Sequence, residues 1–397
     1  MILSDVCEFI VDCPHSTAPD EGKGYPLIRT PNVGKGRLDL NGVHRVSESV
    51  YKQRIQRGAP RANDLIFARE APAGNVALVQ ENQTVCLGQR TVLIRPNVQK
   101  VNPQYLVYYL LSPKPQYELL GTANGATVAH VNLPAIRNLK IELPEKSVQD
   151  KIGTILVTYD DLIENNQKQI KLLEEAAQRF YKEWFVDLRF PGHENTKIVD
   201  GVPEGWQYEK LGDLVKTTSG GTPSRRKSEY YVNGNIRWIK TKELNDRFIF
   251  ETEEHITEDA VKNSSAKVLP EGALIVAMYG ATIGKIGITA AEMACNQACC
   301  AFISFDDMIS KEYLYCWLMD NREYLVSQGK GAAQSNLSQE MIRNFSLLCP
   351  DKKVIKNFTE IVTTMLENKR VLENKILMLS KARDDLLPKL MSGEVEV

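Results

Sequence analysis

No stretch of this sequence approaches the roughly eighteen consecutive apolar residues of a membrane span. The start, MILSDVCEFIVDC, lacks a basic n-region and a small-residue cleavage site, so no signal peptide is expected and a cytoplasmic location is. Histidine is scarce: five residues, well scattered, offer no metal triad. The eight cysteines include a cluster at Cys295, Cys299 and Cys300, but it is not CxxC and no second ligand pair stands nearby. Buried thiols on a strand are expected there. An excess of one charge is also missing, since the formal net charge is −1. Any contact with nucleic acid must therefore come from local basic clusters on chosen faces.

Catalytic signatures are missing too. There is no GxSxG, no HExxH and no paired-carboxylate nuclease pattern. Asn102-Pro103-Gln104-Tyr105 comes near the Asn-Pro-Pro-Tyr loop of amino-methyltransferases but lacks the second proline, and no Gly-rich cofactor turn precedes it. Asn102 reads instead as the N-cap of a helix opened by Pro103, and Ser310 takes that place before Lys311-Glu312-Tyr313. GATIGKIG, from Gly280 to Gly287, is no P-loop: its glycines are too close, and Ile286 stands where Ser or Thr would hold Mg²⁺. No catalytic site, no metal site and no cofactor held by this chain are expected.

What is present is a long amphipathic stretch that occurs twice. From Glu145 to Phe185, apolar residues such as Ile152, Ile155, Tyr159, Ile163, Ile170 and Ala177 recur in steps of three and four, with Asn166 as the one polar member. At 1.5 Å per residue this predicts a helix of roughly 60 Å. Its copy runs from Asp351 to Met391 with Val354, Phe358, Ile361, Met365, Leu372 and Ile376 on the seam and Asn368 close to it. The offset is constant: Ile376 minus Ile170 is 206.

Ahead of each helix lies a globular half. Leu27-Ile28, Asp64 to Ala68 and Thr91 to Ile94 read as strands, Gln104 to Leu111 as a helix, and Leu139 to Leu143 as a closing strand. Looser matches recur downstream: Leu27-Ile28-Arg29-Thr30 as Trp238-Ile239-Lys240-Thr241, and Leu65-Ile66 as Leu274-Ile275. The expected fold is α+β: two similar domains with largely antiparallel sheets, separated by two long helices forming an antiparallel coiled coil. The boundaries expected are 1–142 for the first domain, 143–190 for the central helix, 191–206 for a linker, 207–349 for the second domain and 350–391 for the distal helix.

Corresponding strand ends in the two halves carry amide or basic groups. In SGGTPSRRK, Ser219, Gly220, Gly221 and Thr222 would bring backbone close to a surface, and Arg225, Arg226 and Lys227 would meet phosphates. Lys240 and Lys242 follow Trp238; Arg29, Thr30, Lys35 and Arg37 hold the matching region of the first half. Arg69 and Tyr279 end corresponding strands, Gln89-Arg90 is matched with Asn296-Gln297, and His130 with Asn336; Lys285 and Gln334 complete the candidate DNA-binding set. Gln and Asn can bond adenine bidentately, and Arg can bond guanine.

With these residues in view, nearly the whole chain resembles the specificity subunit of type I restriction–modification enzymes. The carriers are SGGTPS at 219–224, WIKTKEL at 238–244, MYGATIGKIGI at 278–288 and NQACC at 296–300. In the first half they are CPHST at 13–17, LIRTPNV at 27–33 and CLGQR at 86–90; EEAAQRFYKEWF and LLPKLMSGEV on the helices agree. The resemblance implies two target-recognition domains, each reading half of a split site in double-stranded DNA. It implies helices that space the domains and dock two methyltransferase subunits, which bind S-adenosylmethionine, and a restriction subunit that uses ATP and Mg²⁺. This chain would itself be non-catalytic. Two other readings remain: an adenine methyltransferase carrying its own specificity, which would need a cofactor motif, and a coiled-coil scaffold without a DNA role.

Overall fold

The computed structural model describes residues 1–121, 130–329 and 336–397. It divides into two compact units, Met1–Glu164 with Leu377–Val397, and Asn165–Ile376. The cut passes through both long helices, Lys146–Tyr181 and Lys352–Ser392, so each unit contains part of each.

The same framework is built twice. In unit 1 a five-stranded sheet runs in the spatial order Cys7–Asp12, Thr91–Pro96, Leu65–Ala68, Val76–Leu78, Gly36–Arg37. In unit 2 the order is Val215–Ser219, Cys299–Phe305, Leu274–Ala277, Ile286–Thr289, Arg247–Ile249. The central strands Leu65–Ala68 and Leu274–Ala277 are buried along their whole length, which is why they read as unbroken apolar runs. The last pair in each sheet is parallel and the others antiparallel, so the sheets are largely antiparallel as expected. A smaller sheet accompanies each, through Tyr25–Ile28 in unit 1 and Ile236–Ile239 in unit 2. The three clustered cysteines are buried, free thiols on or beside adjoining strands.

Each sheet is followed by a capped helix. Asn102 accepts the Tyr105 N–H before Pro103–Leu111, and Ser310 accepts the Tyr313 N–H before Lys311–Asp320. One expected strand is absent: Leu139 to Leu143 forms only a bridge between Lys140 and Ile2 and hydrogen bonds from Leu3 N to Leu139 O and Ile141 N to Met1 O. In unit 2, Ser346–Cys349 pairs over four residues with Gln207–Lys210, so the same contact grows to a strand where both partners are long enough. The segment expected as linker holds a short hairpin, Ile198–Val199 with Val202–Pro203, and Phe190 and Trp206 pack together at 4.7 Å between ring centres.

The two long helices pair antiparallel within each unit. In unit 2, Glu174 meets Lys369 at 2.7 Å, and ten residues further on Trp184 meets Phe358, eleven residues back. In unit 1, Asp160 pairs with Arg383, while Ile152 and Leu156 share a core with Leu390. The expected seam is buried at Ile152, Ile163, Ile170, Ala177, Val354, Phe358 and Leu372, but the buried stripe is wider than that seam and shifts by one residue in places. Leu156 and Asp160 are buried where Ile155 and Tyr159 are only half so; Val362 and Leu366 replace Ile361 and Met365. Within each unit the helix segments pack against the rest of that unit as well as against each other, and two contact directions widen the buried stripe. Gly153 marks the first of these: a Cβ there would lie 3.0 Å from Tyr105 N at the start of the capped helix.

The buried polar groups of the second helix are Lys369, 1% exposed, and Glu373; Asn368, close to the expected seam, is exposed. Lys369 Nζ donates to Asp246 O at 2.6 Å and to Tyr315 Oη at 3.0 Å. One turn on, Glu373 accepts the Phe248 N–H at 2.8 Å through Oε2, while its buried Oε1 has no hydrogen-bond partner. Burial pushes the Glu373 carboxyl up to about 7, against the pull of Lys369, the Phe248 N–H and Arg247. Between the unfolded value of about 4.5 and about 7, the unfolded chain releases this proton and the folded one keeps it. Stability contributed here is full below that window and falls as pH rises through it. Glu373→Gln should flatten that fall, measured as unfolding midpoints from about pH 4 to about pH 8; an unaltered slope would mean the carboxyl is ionised throughout.

Candidate nucleic-acid interface

Backbone hydrogen bonds define which residues of the two units are equivalent. Gly88 N donates to Ile28 O at 2.8 Å, and Asn296 N donates to Ile239 O at 2.9 Å. Arg69 N donates to Arg90 O and Met278 N to Ala298 O, both at 2.9 Å. Val131 N donates to Arg69 O and Leu337 N to Met278 O. Gln89 is therefore equivalent to Gln297, Glu70 to Tyr279, and His130 to Asn336. The sequence pairings of Gln89-Arg90 with Asn296-Gln297 and of Arg69 with Tyr279 are each one residue out of step; that of His130 with Asn336 holds.

The two glutamines stand in the same place for the same reason. Each follows the backbone junction between the small and large sheets, and each touches the loop that leaves the first strand. In unit 1, Gln89 Nε2 donates to His15 O at 2.9 Å. In unit 2, the Thr222 hydroxyl donates to Gln297 Oε1 at 2.5 Å, and Tyr279 Oη donates to Gln297 O at 3.0 Å. Thr222, Gln297 and Asn336 are exposed, and Asn336 bridges Tyr279. This is a small exposed polar platform in which the hydroxyl groups orient Gln297 and its amide N–H groups are left to meet a base edge.

Unit 1 carries charge where unit 2 carries amides. Arg69, 11% exposed, donates to Asp12 at 2.7 Å and to Val131 O at 2.8 Å, and lies 2.7 Å from His130 Nε2. Glu70 binds His130 Nδ1 and, at 2.7 Å, the exposed Arg90. Arg69 thus holds the cluster together; Arg90 is exposed, while His130 is half-buried with both ring nitrogens engaged by Arg69 and Glu70. Arg29 opens the turn Thr30–Asn32, with its N–H donating to Asn32 Oδ1 at 3.1 Å. Thr30 is buried and donates to Ala71 O, a role inside the fold.

The cations of the SGGTPSRRK loop differ in their surroundings. Arg225 stacks over Tyr231 at 4.3 Å and Trp238 at 5.3 Å and pairs with Glu254 at 2.6 Å. Lys227 donates to Tyr230 Oη at 2.9 Å. Lys240 pairs with Glu253 and Glu254, and Lys242 with Glu253. Arg226 is exposed, with no carboxylate at ion-pair distance among the described residues.

Several expected residues serve the framework. A Cβ on Gly220 would lie 1.7 Å from Cys295 O, and one on Gly221 2.1 Å from Ser265 Oγ. These glycines let the loop press against its own domain, which is a structural reason for glycine at both positions. Gly221 N donates to Cys295 O, and its carbonyl accepts the Trp238 indole N–H. Ser219 donates to Gln339 at 3.1 Å. Lys285 is tied at 2.8 Å to Asp246, whose carbonyl takes Lys369 of the long helix. Arg37, counted with the basic region, pairs with Asp161 of the first long helix. Gln334 lies outside the described residues. His15, Asp12 and Glu70 were not singled out, although His15 lies within the CPHST motif. Their signal was positional, since all three flank strand ends.

Among the described residues no cluster of three or more His, Cys, Asp or Glu side chains could hold a metal ion. Among the described residues no helix is long and apolar enough to cross a membrane.

Comparison with known proteins agrees with the doubled framework. A family model described as the type I restriction modification DNA specificity domain matches residues 1–175 and again 203–378. The type I restriction enzyme MjaIX specificity subunit of Methanocaldococcus jannaschii is 28% identical over 363 residues, covering 90% of this chain and 83% of that protein. The HindI specificity subunit of Haemophilus influenzae is 25% identical over 406 residues, covering 85% and 87%. A crystal structure of the type I restriction–modification system S subunit from M. genitalium shares the fold, with a TM-score of 0.61 at 15% identity over 98% of this chain and 95% of that one.

Proposed function

The chain belongs to the type I restriction modification DNA specificity family, and we propose that it reads a split site in double-stranded DNA, one half with each of its two recognition domains. The observation that carries this reading is the pair of equivalent glutamines, Gln89 and Gln297, on one backbone framework with different neighbours. A repeated framework supplies repeated docking, and the exchanged side chains supply two different half-sites. The domains are residues 1–142 and 207–349, and the base-reading groups are drawn from Gln89, Arg90 and His130 in the first and Thr222, Tyr279, Gln297 and Asn336 in the second.

The long helices dock two methyltransferase subunits. Leu162 and Leu377 in unit 1, and Leu172 and Val371 in unit 2, are exposed apolar residues on these helices. The chain itself is non-catalytic and holds no cofactor; S-adenosylmethionine comes with the methyltransferase subunits, and ATP and Mg²⁺ with a restriction subunit. The complex acts on DNA in the cytoplasm.

Exchange of one recognition domain tests this. Replacing residues 1–142 with the corresponding domain of another family member should change one half of the methylated site and leave the other intact. Methylation mapping of a strain carrying the hybrid reads both halves at once. A change in both halves would contradict independent reading, and absence of any sequence-dependent methylation from the parent complex would contradict the function itself.

A further inference from the structure

Of the cations expected to grip phosphate in unit 2, Arg225, Lys240 and Lys242 are paired with carboxylates, while Arg226 and Lys227 have none at ion-pair distance among the described residues. Arg225, Lys240 and Lys242 meet the carboxylates of Glu253 and Glu254, which sit on one short segment before the strand His255–Ile256. That segment is fixed in place: Trp238 N donates to Glu254 O at 3.0 Å, and Thr252 Oγ1 donates to the same carbonyl at 2.7 Å. The Arg225 guanidinium lies over the Tyr231 ring at 4.3 Å and 5.3 Å from the centre of the Trp238 ring, and these contacts hold it beside Glu254. The Lys240 and Arg225 contacts keep the Glu254 carboxyl below its ordinary range, so the pairs persist at neutral pH. The fold does not require such pairing at this place. Arg29 of unit 1, equivalent to Lys240, has no carboxylate at ion-pair distance among the described residues, and its Nε is buried without an acceptor.

Binding of proteins to DNA of arbitrary sequence draws on phosphate contacts by Lys and Arg and the release of condensed counterions. A cation already paired with a carboxylate must lose that partner before it meets a phosphate, and the freed carboxylate then lies beside the polyanion. We propose that Glu253 and Glu254 are specificity-determining residues of unit 2, which neutralise Arg225, Lys240 and Lys242 and so suppress binding to non-cognate DNA. The inference rests on the DNA-binding function proposed above. Arg226 and Lys227, which meet no carboxylate among the described residues, supply the basal phosphate attraction. On a cognate site the base contacts around Gln297 and Thr222 offset the cost of opening the pairs. On other sequences nothing does.

The test uses the full chain assembled with its methyltransferase subunits, as parent and as the isosteric variant Glu253→Gln/Glu254→Gln. Two probes are titrated over a range of salt: a duplex pool of random sequence, and duplexes selected from that pool by the parent. The variant should bind the random pool on the order of tenfold more tightly at low salt, with a salt slope steeper by up to about 0.9 for each cation freed. Binding to the selected duplexes should change less, so the ratio between the two falls. Unchanged or weaker binding of the random pool by a variant that still binds selected duplexes overturns the proposal, because the carboxylates would then merely position the cations. Arg226→Ala serves as the second variant and should lower the slope by about 0.9 for both probes. A parent complex that retains no duplexes from the random pool overturns the DNA-binding reading itself, and this inference with it.

Discussion

Replacing Lys369 with alanine is expected to lower the unfolding midpoint of the second unit by roughly ten degrees, from a loss of about 3–5 kcal/mol. The ammonium is 1% exposed and joins three partners, of which the Asp246 carbonyl and the Tyr315 hydroxyl are reached by it inside the fold. It donates to the Asp246 carbonyl and the Tyr315 hydroxyl, and it meets Glu174 of the paired helix at 2.7 Å. Burial opposes its charge, but Tyr315 and the carboxylates of Glu174 and Glu373 more than offset that and raise its pKa. Truncation leaves a carbonyl without a donor, a carboxylate without its cation, and a cavity the length of the side chain. Lys369→Met separates these effects, because it restores volume but no charge. It should recover the cavity part only. Combining it with Glu373→Gln should recover more, since the nearby acid then no longer needs a cation. Thermal unfolding followed by Trp fluorescence reads the change, as Trp184, Trp206, Trp238 and Trp317 all lie in unit 2. A midpoint shift of no more than a degree or so would mean that water or a rearranged Glu174 replaces the ammonium at little cost.

That lysine also shows where sequence reasoning stops. The two long helices were legible because a step of three and four persists over many turns, and no local accident imitates that for long. Their extents agree with the expectation to within a residue or so at the start of each helix. The seam position was less legible. A search for apolar types counts Lys369 and Asp160 as surface residues, yet both are buried, each opposite a charge that only the paired helix or the adjoining sheet supplies. The helix caps at Asn102 and Ser310 were legible for the opposite reason: a cap depends on residues three apart and on nothing distant.

The recognition surface was legible as a region and not as a register. Strand ends bearing amides and cations could be named, because the strands are short apolar runs with sharp limits. Matching one half to the other failed by one residue at Arg69 and at Gln89, since loops of different length intervene and only backbone hydrogen bonds fix which residues correspond. Gly220 and Gly221 point to the same limit. Two glycines announce a close approach, but the sequence does not say whether the approaching surface is DNA or, as here, the carbonyl of Cys295 and the backbone beside Ser265. Charge pairing was hidden as well. Glu253 and Glu254 lie more than ten residues from Lys240 and on the far side of Arg225 in the chain, so the basic loop read as open.

The equivalent glutamines carry the second large expectation. Gln297→Ala should relax one position of the half-site read by unit 2, at a cost of about 1–3 kcal/mol or roughly 5- to 150-fold in affinity for that base. Gln89→Ala should do the same in the other half-site, and neither should touch the half read by its counterpart. The two amides are held by opposite ends. Gln89 gives an N–H to the His15 carbonyl, which leaves its oxygen for a donor such as an exocyclic amine. Gln297 takes the Thr222 hydroxyl on its oxygen, which leaves both N–H groups for acceptors on a base edge. One residue type on one framework would thus ask for different bases in the two halves. Thr222→Val tests the orientation directly: without the hydroxyl, the Gln297 amide is free to turn, and the preference at that position should broaden without a general loss of binding. Selection of bound duplexes from a random library, run for each variant, gives the preference at every position of both half-sites. A uniform weakening across all sequences, with both preferences intact, would place the two glutamines on the DNA backbone instead of on its bases.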